Sequence, residues 1–568
     1  MLAIVILCAL YYFGPLAVNK IARVYNTTMY EKRIASRKDS PAFTYYISST
    51  GNDGQDGKTL ATAWRTIKKV NATEFNPGDS ILFEGNKIFM GNLQFDAHDV
   101  GTPEKPVILS SFGTGRAIID AGNGIGIKVL NTQGYHISNI NVKGDGFNKN
   151  EGSGIAVIND LRGNIKLPYI MIDSVDASGF GYWGLLIDGN KNKSGFSNVK
   201  IQYCDVHSNG DAGLYVYGEY NLFTAAYAHA NVYIANVKAF DNPGRANSGV
   251  NTGSGIVLSD TDKGLIEKCV AYNNGEFCHS KQGGPVGIWA WDSRNVIIQY
   301  NQSYNNKTGS AKDGGGFDLD GGMTNSILQY NYSHDNEGAG FFLAQFSYAR
   351  KHSENILRYN ITYNDGRKNN YAGIEVWGSC ENACIYNNTV YMDATPGSNS
   401  AALIVRANDE LGDFLKKVPS KITVSNNIFV SVGSDTLVRV TDALPSIRLI
   451  NNNYYNFKRA VKFLWNDKLY ADLIQWRNAS TQEKEGATNY GFSIDPGLNV
   501  GSTDSAQFFK TGGLNQFQLK SGSKMIDASM DVLKVVANNP AFKDILGGKV
   551  PQHKKADIGA CEFTGSIN

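Results

Sequence analysis

The chain has 568 residues, 42% hydrophobic and 19% charged, with a formal net charge of +2. That balance is globular rather than disordered, and it lacks the bulk basic field that nucleic-acid binding uses. With 61 Gly, 30 Tyr and only 14 Pro, the composition argues against a helical bundle or a multi-span membrane protein and favours strands joined by Gly and Asn turns.

Residues 1–18, MLAIVILCALYYFGPLAV, carry no charge, and Lys20 and Arg23 follow. Since about 20 apolar residues span a bilayer, residues 1–40 read as a leader, either a signal peptide or a single N-terminal membrane anchor. Either reading predicts a secreted, periplasmic or cell-surface protein. Residues 41–125 read as an N-terminal cap with the first coils of the fold, and the stretch Ala61–Val70 as a helix-like plug.

From Gly126 a short pattern recurs, a Gly followed by alternating apolar and outward residues. It appears as GIKVL at Gly126, GIAVI at Gly154, GLLID at Gly184, GLYVY at Gly213 and GIVLS at Gly255. It continues as GIWAW at Gly287, GFDLD at Gly316, GFFLA at Gly340 and GIEVW at Gly373, with a variant ALIVR from Ala402. Most steps are 24–33 residues, and one is 42.

A second pattern, apolar-x-apolar-x-x-Asn, interleaves with the first, and its Asn position runs through Asn139, Ser174, Cys204, Asn236, Cys269, Asn301, Asn331, Asn360, Asn388, Asn427 and Asn453. Short strands at this period cannot bury their apolar face alone, and stacking coil on coil solves that. An inward Asn at each turn can bond the coils on either side. The sequons at Asn301, Asn331 and Asn360 therefore read as structural. The expected fold is all-β, a right-handed parallel β-helix of roughly ten coils over 126–460, with an irregular C-terminal cap over 461–568 that includes a short helix at LYADLIQWRNAS. Cys204 and Cys269 read as packed thiols, and Cys380 and Cys384 are spaced for a local disulfide.

Several segments outside the repeat resemble those of the secreted pectate-lyase-like superfamily. They are YYISSTGNDGQDGKTLATAWRTIKKVN and PGDSILF near the N-terminus, and DPGLN at Asp495 and DIGACEF at Asp557 near the C-terminus. The resemblance covers roughly residues 45–565. It implies the fold and a carbohydrate-active role, in a superfamily that holds lyases, hydrolases, epimerases and non-catalytic adhesins. In the calcium-dependent pectate lyases a D-D-G-W-D motif holds the metal. The matching stretch here is Gly314-Gly315-Gly316-Phe317-Asp318, and only Asp318 fits.

Alternation places outward residues in two columns on one face. Two residues after each Gly stand Tyr215, Trp289, Asp318, Phe342 and Glu375. Four after stand Asp188, Tyr217, Trp291, Asp320, Trp377 and Arg406. Aromatic faces stack on sugar rings while acids bind hydroxyls. Asp318, Asp320 and Glu375 are thus the expected catalytic carboxyls, with Asp318 and Glu375 two coils and about 9.6 Å apart, within reach of the separation inverting glycosidases use. Trp289, Trp291, Trp377, Tyr215, Tyr217 and Arg406 are the expected substrate-binding side chains. Lys281 joins them from the loop 276–285, and His334 from the other strand of its coil. The loop SYARKHSE supplies Tyr348, Arg350, Lys351 and His352. Asp313 with Asp318 is a candidate Ca²⁺ pair, though no cofactor is required for the reaction favoured here. These residues predict a monomeric enzyme cleaving the glycosidic bonds of a polysaccharide, a glycoside hydrolase with paired carboxylates. A uronate lyase and a non-catalytic glycan-binding scaffold are the alternatives.

Overall fold

The computed structural model describes residues 2–37, 39–393, 400–412, 416–433, 436–442, 446–499, 513–531 and 542–566, with side chains described from residue 20. Their contacts divide into two compact units, 1–245 with 252–265, and 246–251 with 266–568. Both are built from parallel strands stacked in chain order.

In the first unit the Gly-anchored strands Ile127–Leu130, Ile155–Ile158, Trp183–Gly189, Ala212–Gly218 and Ser254–Ser259 pair in parallel and in register. The stack begins before the first repeat, because Leu93–Phe95 pairs with Ile127–Leu130. Inward residues such as Ile127, Val129, Ile155, Leu185, Val216 and Leu258 have no exposed surface. In place of one plug over Ala61–Val70 stand a short 3-10 turn, Leu60–Thr62, and a five-residue helix, Ile67–Asn71. The helix Leu2–Arg37 takes in the apolar run. Its later part docks on this unit: Asn26 Nδ2 donates to the Arg162 carbonyl at 3.1 Å, and Arg33 and Arg37 donate to the carbonyls of Ala97 and His98. The side chains of residues 1–19 lie outside the described residues. Among the described residues no helix is long and apolar enough to cross a membrane.

In the second unit the corresponding strands are Val286–Trp291, Gly315–Leu319, Phe341–Ala344, Ile374–Trp377 and Leu403–Arg406. The stack goes further than the Gly pattern, through Thr436–Val440 and Lys462–Trp465. The helix Leu473–Ser480 closes on it: Trp476, fully buried, stacks on Phe463 at 4.4 Å. The repeated Gly is demanded by close approach. A Cβ at Gly316 would lie 2.1 Å from Ser333 Oγ, and one at Gly287 2.0 Å from Ser303 Oγ.

The Asn column is real in the second unit. Asn301, Asn331, Asn360, Asn388 and Asn427 each accept, at Oδ1, the backbone N–H of the residue one coil earlier. Its last member is Asn452, not Asn453, since Asn427 N–H and Nδ2 both donate to Asn452 Oδ1. In the first unit the column slips by one. Asn139, Ser174 and Asn236 take positive φ, as does Tyr203, whereas Cys204 turns inward. A second column, Asn274, Asn306, Asn336 and Asp365, runs beside the first. Cys380 and Cys384 are both free thiols, contrary to the expected disulfide: Cys380 lies inside, its thiol donating to the carbonyls of Leu343 and Trp377 at 3.4 Å, and its partner sits apart at half-buried depth.

Candidate active site

The outward columns fall in the register that alternation predicts. Trp289 pairs with Asp318, Asp318 with Phe342, Phe342 with Glu375 and Glu375 with Ile404. Beside them Ala344 pairs with Trp377, and Trp377 with Arg406. Parallel strands lie about 4.8 Å apart, so one sheet face of the second unit gathers Trp289, Trp291, Asp318, Asp320, Glu375, Trp377 and Arg406.

Depth separates these residues. Asp318 is 4% exposed and Glu375 0%, whereas Asp313 and Asp320 are half-buried. Glu375 therefore does not open onto the face as expected. Arg406, two residues along the next strand, folds over it, with Nε and Nη2 both 2.7 Å from Oε1. This also commits Arg406, read as a substrate-binding cation, to a carboxylate, although 41% of its side chain stays exposed. Phe342 is likewise covered, in a small cluster with Ala339, Ala344 and Tyr371 against which half-buried Trp377 packs. Trp291 lies 6.5 Å from Phe346, ring to ring.

Asp318, like Glu375 at Oε2 and Trp377 at Nε1, leaves a buried polar atom unsatisfied among the described residues. In Asp318 that atom is Oδ1. Burial, then the neighbouring charges of Asp320, Asp313 and Glu375, hold its carboxyl well above the usual range. Burial also lifts Asp320, to about 7, with Asp313 adding to the rise and the Gly321 N–H, 2.7 Å from Oδ1, opposing it. Asp313 stands three residues before Gly316, outside the strand. Burial raises it, while two donors favour its ionised form: Gly284 N–H at 2.6 Å and the Tyr371 hydroxyl at 3.0 Å. Like charges this close cannot all ionise in neutral solution.

The loop candidates buttress this face. Arg350 Nε bonds Asp292 Oδ1, and Nη2 bonds its carbonyl at 3.1 Å. His352 is fully buried, and burial lowers it to about 4, so it is neutral. Its Nε2–H donates to the Leu319 carbonyl at 2.9 Å, which holds the backbone between Asp318 and Asp320. Lys351 pairs with Glu381 at 3.0 Å, and Tyr348 is exposed. Lys281 lies exposed in the loop before Val286–Trp291.

One expected member, His334, is not brought to this cluster. His334 sits in the other long sheet, on the strand Tyr332–His334. It stacks on Tyr304 at 4.8 Å and accepts from Gln302 Nε2 at 2.9 Å, as a turn-flanking structural residue does. Tyr215 and Tyr217 belong to the first unit. Nor do the residues suit the Ca²⁺ pair of Asp313 and Asp318. Among the described residues no group of three or more His, Cys, Asp or Glu could hold a metal ion, and both Asp313 oxygens already take protein donors. Calcium wants six or more oxygens, more than these two carboxyls offer. Tyr371, which donates to Asp313, carries no signal in the sequence because it precedes its strand, where alternation has no reach.

Residues 183–390 match the family model described as the right handed beta helix region. The lacto-N-biosidase of Bifidobacterium longum subsp. longum is 24% identical over 492 residues, a match covering 69% of this chain but only 29% of that protein's length. The structure of the GH136 lacto-N-biosidase from Eubacterium ramulus is similar at 20% identity, covering 67% of each chain with a TM-score of 0.49. The structure of pectate lyase Pel9A covers 92% of this chain and 97% of its own, at 14% identity and a TM-score of 0.41. The chain folds as a right-handed parallel β-helix.

Proposed function

We propose that the chain is a carbohydrate-active enzyme, a glycoside hydrolase whose reaction centre is the acidic face around the strand Gly315–Leu319. The observation that carries this reading is the unpartnered carboxyl oxygen of Asp318, buried between two half-exposed acids. Leaving such a group unsatisfied costs about 1–3 kcal/mol. Folding gains nothing from it, whereas a bound sugar hydroxyl or glycosidic oxygen would satisfy it. The relative named lacto-N-biosidase supports the same class of chemistry.

In this reading Asp318 and Asp320 act as one proton-holding unit. Both are pushed up by burial, so a proton is still present at neutral pH to give to the leaving oxygen. Asp313, favoured as carboxylate by Gly284 and Tyr371, is the base that activates water. Glu375 lies behind, held by Arg406, and acts through its charge on Asp318. Half-buried Trp289, Trp291 and Trp377 offer aromatic surface for sugar rings. Elimination from a uronate is less well supported, because it needs cations to neutralise the acid, and of the candidates Arg350 and Arg406 are each held by a carboxylate while Lys281 alone stays exposed. A polymeric substrate, a monomeric state and an extracytoplasmic location belong to the same proposal.

Digestion of a panel of neutral and uronate glycans tests the class. Saturated reducing ends are expected. An unsaturated uronyl product absorbing in the ultraviolet would replace the hydrolase by a lyase, and binding without cleavage would leave a scaffold. The reaction should also have a basic limb. Because Asp320 sits at about 7, its acid form is present below that pH and lost as pH rises through it. The rate kcat/KM is expected to fall about tenfold for each pH unit above about 7. Asp313→Asn removes one negative charge that lifts Asp320, so in whatever activity remains the limb should move to lower pH.

A further inference from the structure

The first unit has a feature of its own that packing does not explain. Trp183 opens the strand Trp183–Gly189 and Asp188 lies near its end. Tyr215 and Tyr217 stand on the neighbouring strand, in register with Leu186 and Asp188. The rings form a row: Trp183 to Tyr215 at 6.2 Å and 69°, then Tyr215 to Tyr217 at 5.5 Å and 74°. Tyr182 lies 5.4 Å from Trp183. All four aromatics are half-buried.

Two polar atoms in this row have no partner among the described residues. They are the indole N–H of Trp183, a donor, and Oδ1 of Asp188, an acceptor. Asp188 is only 7% exposed, and its other oxygen takes Asn190 Nδ2 at 2.7 Å. Buried Trp N–H groups and carboxylates are normally paired, since each orphan costs about 1–3 kcal/mol. A partner that covers aromatic surface and also supplies both an acceptor and a donor would answer both. A sugar ring does this with its C–H face and its hydroxyls.

We propose that the first unit carries a separate binding platform for a neutral saccharide, formed by Trp183, Tyr215, Tyr217 and Asp188. Neutrality follows from the charges around it. Lys191 pairs with Asp160 at 3.3 Å, Lys193 with Asp260 at 2.8 Å and Arg245 with Asp211 at 3.0 Å. These cations are committed, and the orphaned group is itself an acid, so a uronate would meet net repulsion. Burial, and then the charge of Asp160, raises Asp188 to about 7, which lets it donate or accept. The platform does not depend on hydrolysis by the second unit.

The test uses full-length Asp320→Asn protein, so that ligand survives the measurement. It is titrated calorimetrically with tetra- to hexasaccharides of xylose, glucose, and galactose with N-acetylglucosamine, and with galacturonate and mannuronate oligomers. At least one neutral oligomer is expected to bind, and Trp183→Ala to weaken it about tenfold or more. The near-isosteric Asp188→Asn should weaken it as well without disturbing the fold. Binding of every oligomer unchanged in both variants overturns the platform, as does tighter binding of uronates than of neutral sugars, or no binding at all. Cleavage by the unsubstituted chain is measured alongside. Loss of cleavage with the titration intact removes the hydrolase reading only, and the reverse removes the platform only.

Discussion

Replacing Asp320 by Asn is expected to lower turnover by about 10³-fold, the scale on which general acid–base groups contribute, with little change in thermal stability. The residue is half-buried and its side chain, among the described residues, is bonded by the Gly321 N–H alone, so an amide fits without opening a cavity. Asp318→Asn should cost turnover by a similar factor, because Asp318 shares the proton with Asp320. The double variant separates this from two independent contributions. Residues that act as a unit are far from additive, so the pair should lose about as much as either alone, about 10³-fold rather than 10⁶-fold. Glu375→Gln is expected to fall short of both. It keeps the volume beneath Arg406 and an acceptor for it, and removes a charge that pairs with Arg406 and acts at a distance on Asp318. Full activity in Asp320→Asn would remove the acidic face from the reaction. A Glu375 variant as impaired as Asp320→Asn would return Glu375 to the centre.

The contrast between these acids marks where sequence reading stops. Alternation after each Gly is a property of strand geometry, so Trp289, Asp318, Phe342 and Glu375 line up as the pattern says. Depth is set by neighbours on other coils. Glu375 is buried because Arg406, 31 residues later, lies across it. Asp313 and Tyr371 sit in the turns between strands, where no period applies, and yet they meet. The Asn column shows the same boundary. At 451–453 three consecutive Asn offer the turn three choices, and only strand register selects Asn452. The Ser174 to Cys204 slip arises because both the left-handed position and the inward one after it accept small polar residues.

Asn331→Ala is expected to destabilise the protein by about 3 kcal/mol, read as a shifted denaturation midpoint. Asn331 is fully buried. Its Oδ1 accepts the N–H and Nδ2 of Asn301 at 3.1 and 3.0 Å, and its Nδ2 donates to the Ile298 carbonyl at 2.8 Å and Asn360 Oδ1 at 3.1 Å. Alanine leaves the Asn301 N–H without an acceptor and removes the donor from Ile298. Asn331→Asp keeps the acceptor but puts a charge where a donor is needed, against the Ile298 carbonyl and the Asn360 oxygen. Its pKa must rise, so it should cost most at high pH and recover as pH falls and the carboxyl regains a proton. The protein's own acids obey this logic. Asp365 ends the second column, where it only accepts, from Asn336 N–H and Nδ2 and from the Thr362 hydroxyl. Glu483 does the same after Asn452. Asp365→Asn should therefore cost far less than Asn331→Asp. Equal losses at the two positions would mean that charge alone, rather than the direction of the hydrogen bonds, decides which residue each turn accepts.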